Sequence, residues 1–190
     1  MAIQHSSLVN LDTKTIYLIG GVDANEIGYI CFNLLHMIEE DDYNEANIKD
    51  YKREPIKIYI SSYGGELSSA WGLIDIMLSS KTPIYTYCIG FAHSAALKIF
   101  LAGEKRYVYE HSCFLYHQLS GGSAGKFSDM KEYVEVCNTE QEIIEDFVVD
   151  RTNITREMLG KIKKEKKDWY IYSAEALELN IANDYIDIVE

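Results

Sequence analysis

Residues 84–100 read IYTYCIGFAHSAALKIF, which combines a strand, a turn and the start of a helix. Apolar positions alternate along the first six residues, as is typical of a β-strand. A turn of small residues follows, and Ser94 then begins a helix that is predicted to end at Ala102. A serine at this junction exposes its hydroxyl beside the positive end of a helix dipole, which suits a nucleophile. Serine is also an ordinary N-cap residue, the more common role on helix propensity alone.

Strands and helices alternate on both sides of this segment. Upstream, strands are predicted at 16–19 and 56–60, and helices at 25–40 and 66–80. Downstream, the sequence predicts short strands at 106–109 and 113–117, helices at 127–151, after Thr155 and at 174–179, and a last strand near 185–189. This alternation predicts the α/β class, with βαβ units and a mostly parallel sheet.

The composition indicates one domain over residues 1–190, since 47% of the residues are hydrophobic and only 2 are proline. The net charge of -12 argues against nucleic acid or an anionic membrane as the main partner. No signal-peptide pattern and no apolar run of about 20 residues occurs, so no membrane span is expected. The four cysteines lack metal-ligand spacing, which favours reduced thiols in a cytoplasmic protein without a metal site.

Polar groups elsewhere in the chain are candidates for the same site as the serine. Gly64 and Gly65 follow one predicted strand, and the carboxyl ends of parallel strands meet at one edge of a sheet. The N–H groups of Gly65 and Ala95 can therefore form a two-donor oxyanion hole. His117 ends a strand and can act as a general base, and Asp168 can orient it. Taken singly, the glycines are a tight turn, the histidine is structural and the aspartate is a surface charge.

Four motifs occur in order along the chain: SSYGG at 61–65, GFAHSAA at 90–96, YHQLSGG at 116–122 and DWYIYSAEA at 168–176. Together they resemble the proteolytic subunit of the Clp protease (ClpP), over the chain from about residue 16 to its end. The resemblance implies the ClpP/crotonase-like α/β fold, a single domain of βαβ units. It also implies a protruding handle, here a strand and a long helix over residues 120–151.

The resemblance also implies catalytic roles. Ser94 is expected to be the nucleophile, His117 the general base and acid, and Asp168 the carboxylate that orients the imidazole. The backbone amides of Gly65 and Ala95 are expected to form the oxyanion hole. The implied reaction is serine endopeptidase cleavage through an acyl-enzyme, without cofactor or metal.

Substrate and assembly follow from the same resemblance. Unfolded polypeptide is expected to pair, as an added strand, with Gly121, Gly122 and Ser123. The chains are expected to associate into rings, as a heptamer or tetradecamer that encloses the sites. An AAA+ unfoldase is a possible partner.

Several features differ from the family pattern, and three of them concern assembly and the surface. Residues 1–15 form a short N-terminal leader, which makes pairing with a standard unfoldase doubtful. Residues 39–54 form a charged insertion, interpreted as an exposed excursion. Two lysines at 166–167 replace an acidic–basic pair that couples rings in relatives, which leaves single and double rings both open.

Other functions also fit part of the sequence. A catalytically silent ring subunit would share the fold. A crotonase-like acyl-CoA enzyme would need a carboxylate at the site, for which Glu66 is the candidate. Lys98 lies one helical turn after Ser94 and permits a Ser–Lys dyad, although His117 fits a triad better. His93, beside the serine, is interpreted as structural.

Overall fold

The computed structural model describes residues 5–186. The helices and strands of this range, in chain order, are β1 (Leu8–Asn10), β2 (Thr15–Val22), α1 (Ala24–Asn47), β3 (Ile56–Gly65), α2 (Leu67–Ser79), β4 (Ile84–His93), α3 (Ala95–Leu101), β5 (Lys105–Val108), β6 (Cys113–Tyr116), α4 (Phe127–Arg151), α5 (Arg156–Glu165), β7 (Trp169–Tyr172), α6 (Ser173–Glu178) and β8 (Asp184–Tyr185). The last predicted strand is confirmed only at its start, because residues 187–190 lie outside the described range.

One sheet contains all the strands of the described range. Strands β2, β3, β4, β5 and β8 lie side by side in this order and run parallel. β6 continues in parallel from the end of β4, while β1 and β7 run antiparallel to β2 and β6. The mostly parallel sheet is therefore confirmed. The antiparallel pairs are additions that the βαβ alternation did not predict.

The strands continue through turns that the sequence analysis had placed at their ends. β3 extends to Gly65 and β4 to His93, each beyond its predicted limit. Register shifts between Gly20 and Gly21 and between Ile60 and Ser62 let pairing resume after each irregularity. The glycines that the sequence analysis interpreted as strand ends therefore lie at bulges, where an extra residue bends the strand without ending it.

The charged insertion at 39–54 is mostly exposed, as the sequence analysis predicted, but it is anchored to the domain. Helix α1 continues through its first half, and Asp41 is fully buried there. The carboxylate of Asp41 accepts hydrogen bonds from Lys14, from the Tyr51 hydroxyl at 2.6 Å and from the Thr82 hydroxyl at 2.7 Å. Burial alone would raise the pKa of Asp41, but these bonds outweigh it and hold the pKa below its usual value. The insertion is thus fixed to the domain.

The long helix α4 has the bounds that the sequence predicted. Its buried residues, from Gln141 to Val148, all lie in its second half, and Phe127 at its start is 84% exposed. At 1.5 Å per residue the helix is about 37 Å long, so its first half projects from the domain. The strand predicted before it is absent, since residues 117–126 have no regular secondary structure.

Tyrosines form a stacked ladder across the parallel strands. The rings of Tyr17, Tyr59, Tyr87 and Tyr107 stack in sequence, with centroids 5.0, 4.6 and 5.0 Å apart. Burial raises the pKa of the Tyr87 hydroxyl in this ladder to about 12. Within residues 5–186, no helix combines the length and apolar character needed to cross a bilayer.

Candidate active site

Ser94 lies between the end of β4 and the start of α3. Its N–H donates to the carbonyl oxygen of Leu115 at 2.9 Å, which fixes the turn to β6. Its φ of 54° and ψ of -120° are unusual for a residue with a side chain and cost about 1–3 kcal/mol. Within the described residues its side chain makes no capping hydrogen bond to α3. The side-chain cap role is therefore wrong for Ser94, and its strained strand–helix turn is the geometry that presents a nucleophile.

The glycine pair at the end of β3 contacts this turn closely. A Cβ on Gly64, where φ is 86°, would lie 2.8 Å from the amide nitrogen of Ala95. A Cβ on Gly65, where φ is 151°, would lie 2.2 Å from the carbonyl oxygen of Val22. Only glycine at position 64 permits the approach of β3 to the start of α3, and only glycine at position 65 permits the close contact of β3 with β2. Gly65 and Ala95 line one pocket with Ser94, as an oxyanion hole requires.

His117 lines the same pocket. Its Nδ1 lies 2.5 Å from the carbonyl oxygen of Gln118. A carbonyl oxygen only accepts, so this hydrogen bond places the proton on Nδ1 and leaves Nε2 as an acceptor. That tautomer is the one a general base needs.

Asp168 is only partly where the sequence analysis expected it. It directly precedes β7, in which Trp169 pairs with Tyr116, the residue before His117. The backbone therefore brings Asp168 opposite His117. Its side chain is exposed, however, and the hydrogen bonds of the described residues include none between Asp168 and the imidazole, whose Nδ1 contacts Gln118 instead. The structure thus brings Ser94 and His117 together and leaves the carboxylate outside their pocket.

Lys98 also lines this pocket, although the sequence analysis preferred His117 to it as the partner of Ser94. It is 3% exposed and lines the pocket, whose volume is about 50 Å³. Its Nζ lies 5.3 Å from the centroid of the Tyr116 ring, and burial lowers the pKa of Lys98 to about 8. Its helical spacing from Ser94 was visible in the sequence, but its burial was not, because lysines on helices are usually solvated.

The predicted substrate arm is present as an irregular segment. Gly121, Gly122 and Ser123 are exposed and belong to no strand. A Cβ on Gly121 would lie 2.2 Å from the Tyr133 hydroxyl, so the segment lies against the first half of α4. Pairing with a peptide remains a prediction for these three residues.

Two neighbouring residues have other contacts. His93 packs among aromatic rings, with centroids 5.7 Å from Tyr63 and 6.0 Å from Tyr170, and burial lowers its pKa. This environment fits the structural role expected for it. Glu66 accepts a hydrogen bond from the Ser69 hydroxyl at 2.9 Å and does not line the pocket. The crotonase-like alternative therefore loses its candidate carboxylate.

The sheet, its flanking helices and the projecting α4 define the ClpP/crotonase-like class of α/β proteins. A point mutant of ClpP1 from Listeria monocytogenes has the same fold, with a TM-score of 0.77 over 93% of each chain and 22% sequence identity. The family follows from the sequence comparisons.

The Clp protease family model matches residues 6–188. ATP-dependent Clp protease proteolytic subunit 1 of Shouchella clausii is 30% identical over 135 residues, which are 70% of this chain and 69% of that protein. An ATP-dependent Clp protease proteolytic subunit of Dehalococcoides mccartyi is 28% identical over 178 residues, which are 93% of this chain and 83% of that protein. The chain belongs to the Clp protease family, and the names of these relatives support a peptidase.

Proposed function

We propose that this chain is a serine endopeptidase with Ser94 as nucleophile and His117 as general base. One observation carries the proposal. Ser94 lies on a strained turn, its hydroxyl makes no capping hydrogen bond to α3, and it shares a pocket with His117, whose Nε2 is free to accept a proton. The membership in a family of proteases supports the same chemistry.

The reaction proceeds in two acyl-transfer steps. Oγ of Ser94 attacks the peptide carbonyl while Nε2 of His117 takes its proton, and the N–H groups of Gly65 and Ala95 stabilise the oxyanion. The C–N bond then breaks, His117 protonates the leaving amine, and an ester to Ser94 remains. Water, deprotonated by His117, hydrolyses this ester and regenerates the serine.

Asp168 completes the triad in this proposal. Its backbone position opposite His117 allows its carboxylate to replace the Gln118 carbonyl as the acceptor of the Nδ1 proton. A carboxylate also stabilises the imidazolium that forms in each step, which a neutral carbonyl does less well. Asp168→Asn is therefore expected to slow acylation at least 10-fold, and an unchanged rate would assign the orienting role to Gln118.

We further propose that copies of this chain assemble into rings that enclose the sites. Phe127, Met130 and Val134 form an apolar stripe on the projecting half of α4, exposed by 84%, 43% and 56%. Helical spacing places them on one face, which a second copy would cover. Heptamers or tetradecamers are expected by likeness to the family.

The proposal also includes an unfoldase partner, unfolded polypeptide substrates and a cytoplasmic location. The relatives are named as subunits of an ATP-dependent protease, which supports an ATPase unfoldase as partner and unfolded chains as substrates. The four cysteines of the chain are free thiols, as suits the reducing cytoplasm.

Fluorophosphonate labelling followed by intact-mass spectrometry tests the chemistry, with Ser94→Ala as the matched control. One adduct on the parent chain and none on the variant is the expected result. Native mass spectrometry of the same sample reports the assembly. Closed rings without an adduct would contradict the peptidase and favour a catalytically silent subunit, the alternative to which the separated Asp168 side chain points.

A further inference from the structure

Lys98 is a buried cation without an acidic partner. Only 3% of its surface is exposed, and within residues 5–186 no Asp or Glu oxygen lies within 4 Å of its Nζ. Its nearest charge-stabilising contact is the face of the Tyr116 ring, 5.3 Å away. Burying an unpaired charge is strongly unfavourable, so this arrangement requires a reason.

A buried carboxylate of α4, that of Glu145, is already occupied by other groups. Glu145 accepts from Nε2 of Gln141 at 2.9 Å and from Nη1 of Arg156 at 3.0 Å, and Nζ of Lys163 lies 3.7 Å from it. Two cations thus neutralise Glu145. Lys98 remains uncompensated in a chain that has 30 acidic and only 18 basic residues.

The pocket beside Lys98 is small and has both polar and apolar walls, and no Asp or Glu is among the described residues that line it. Leu67, Leu119 and Ile144 contribute side chains to its wall, and its volume of about 50 Å³ accommodates a few water molecules or one carboxylate. Ser94 and Lys98 both line this pocket. A side chain that enters it therefore lies beside the reacting serine.

We propose that Lys98 makes this pocket a subsite for an acidic side chain, the Asp or Glu whose own carbonyl carbon Ser94 attacks. The inference rests on the proposed peptidase function and names its substrate class. The carboxylate enters with the substrate and pairs with the Lys98 ammonium group. It supplies the negative charge that the chain itself does not place there.

Matched fluorogenic peptides test the inference. They differ only in the residue that supplies the scissile carbonyl, which is Glu, Gln or Leu. Wild type is expected to cleave the Glu peptide about 10- to 100-fold faster than the Gln peptide, measured as kcat/KM, because a desolvated charge pair is replaced by a neutral group. Lys98→Met, similar in length and uncharged, is expected to abolish this preference and to favour Leu.

Three controls make the result specific. Lys98→Arg keeps the charge and is expected to retain the preference for Glu. Lys105→Met removes another lysine whose Nζ lies 5.3 Å from a tyrosine ring, that of Tyr85. Lys105 is exposed at the start of β5, and its replacement is expected to change nothing. Denaturant unfolding shows that Lys98→Met folds, and fluorophosphonate labelling of Ser94 is expected to proceed in it as in wild type.

The outcomes separate this inference from the function on which it rests. Wild type that labels at Ser94 but cleaves the Glu and Gln peptides equally overturns the subsite and leaves the peptidase. Loss of labelling in folded Lys98→Met overturns it too, because Lys98 would then act on the serine itself. Product peptides that end in Glu or Gln give a further outcome. If the two inhibit wild type equally, and both inhibit Lys98→Met less strongly, then Lys98 binds the terminal carboxylate of the product, and the proposed subsite is overturned. Wild type that neither labels nor cleaves removes the peptidase and the inference together.

Discussion

Replacing Gly64 by alanine tests the close contact between β3 and the nucleophile turn. The new Cβ would lie 2.5 Å from the carbonyl oxygen of His93, 2.8 Å from the amide nitrogen of Ala95 and 2.9 Å from Cβ of Ser94. All three neighbours belong to one stretch of chain, so the turn must move as a unit. The φ of 86° adds about 1–2 kcal/mol for any residue with a Cβ. With the steric term, we expect the free energy of unfolding to fall by about 3 kcal/mol.

The same displacement should also slow the chemistry. Relieving the contacts moves Ser94 by roughly 0.5–1 Å, and a misplacement of this size typically costs about 100-fold in rate. Denaturant unfolding measures the stability, and the second-order rate of fluorophosphonate labelling measures the site.

Gly72→Ala is the matched control, because a Cβ there contacts nothing within 4 Å and lies on the exposed side of α2. That variant should be more stable by about 0.5–1 kcal/mol and label normally. If Gly64→Ala behaves like Gly72→Ala, the contact between β3 and the turn is not what positions Ser94.

Three further predictions concern the scaffold. Asp41→Asn should lower the unfolding free energy at pH 7 by about 2 kcal/mol. Because the folded pKa of Asp41 lies below its unfolded value of about 4, this contribution is fully present above that pH and disappears in acid, so urea titrations of variant and wild type should converge there. Arg106→Met should cost about 3 kcal/mol in the same assay, since four carbonyl oxygens lose a buried charged donor. Arg106→Lys should not restore it, because an ammonium group cannot span those acceptors. Thr155→Ala should cost about 1 kcal/mol, because its hydroxyl accepts from the N–H of Met158 at the start of α5, whereas Thr155→Ser should be neutral.

The elements of the fold could be predicted from local pattern, and their limits could not. A Gly/Ser segment marked the start of the helix at 127–151, and apolar alternation located parallel strands. The errors share one cause, which is pairing or burial that depends on distant residues. α1 continues past its predicted end because Asp41 finds donors on three separate segments. No local signal reports such a partner.

The candidate site also has features that the sequence shows and features that depend on distant residues. Backbone features were visible in the sequence, since a glycine pair and a serine at strand–helix junctions are local patterns, and the structure places both beside one pocket. The orientation and the burial of the side chains were not visible in the sequence. Whether Asp168 faces His117 depends on one rotamer, and whether Lys98 is solvated depends on the helix packed over it. A motif therefore predicts where chemistry occurs more securely than it predicts which substrate enters. In the proposed subsite, the charge at Lys98 lies outside the four motifs of the sequence, so only the packed structure shows that it is buried beside the serine.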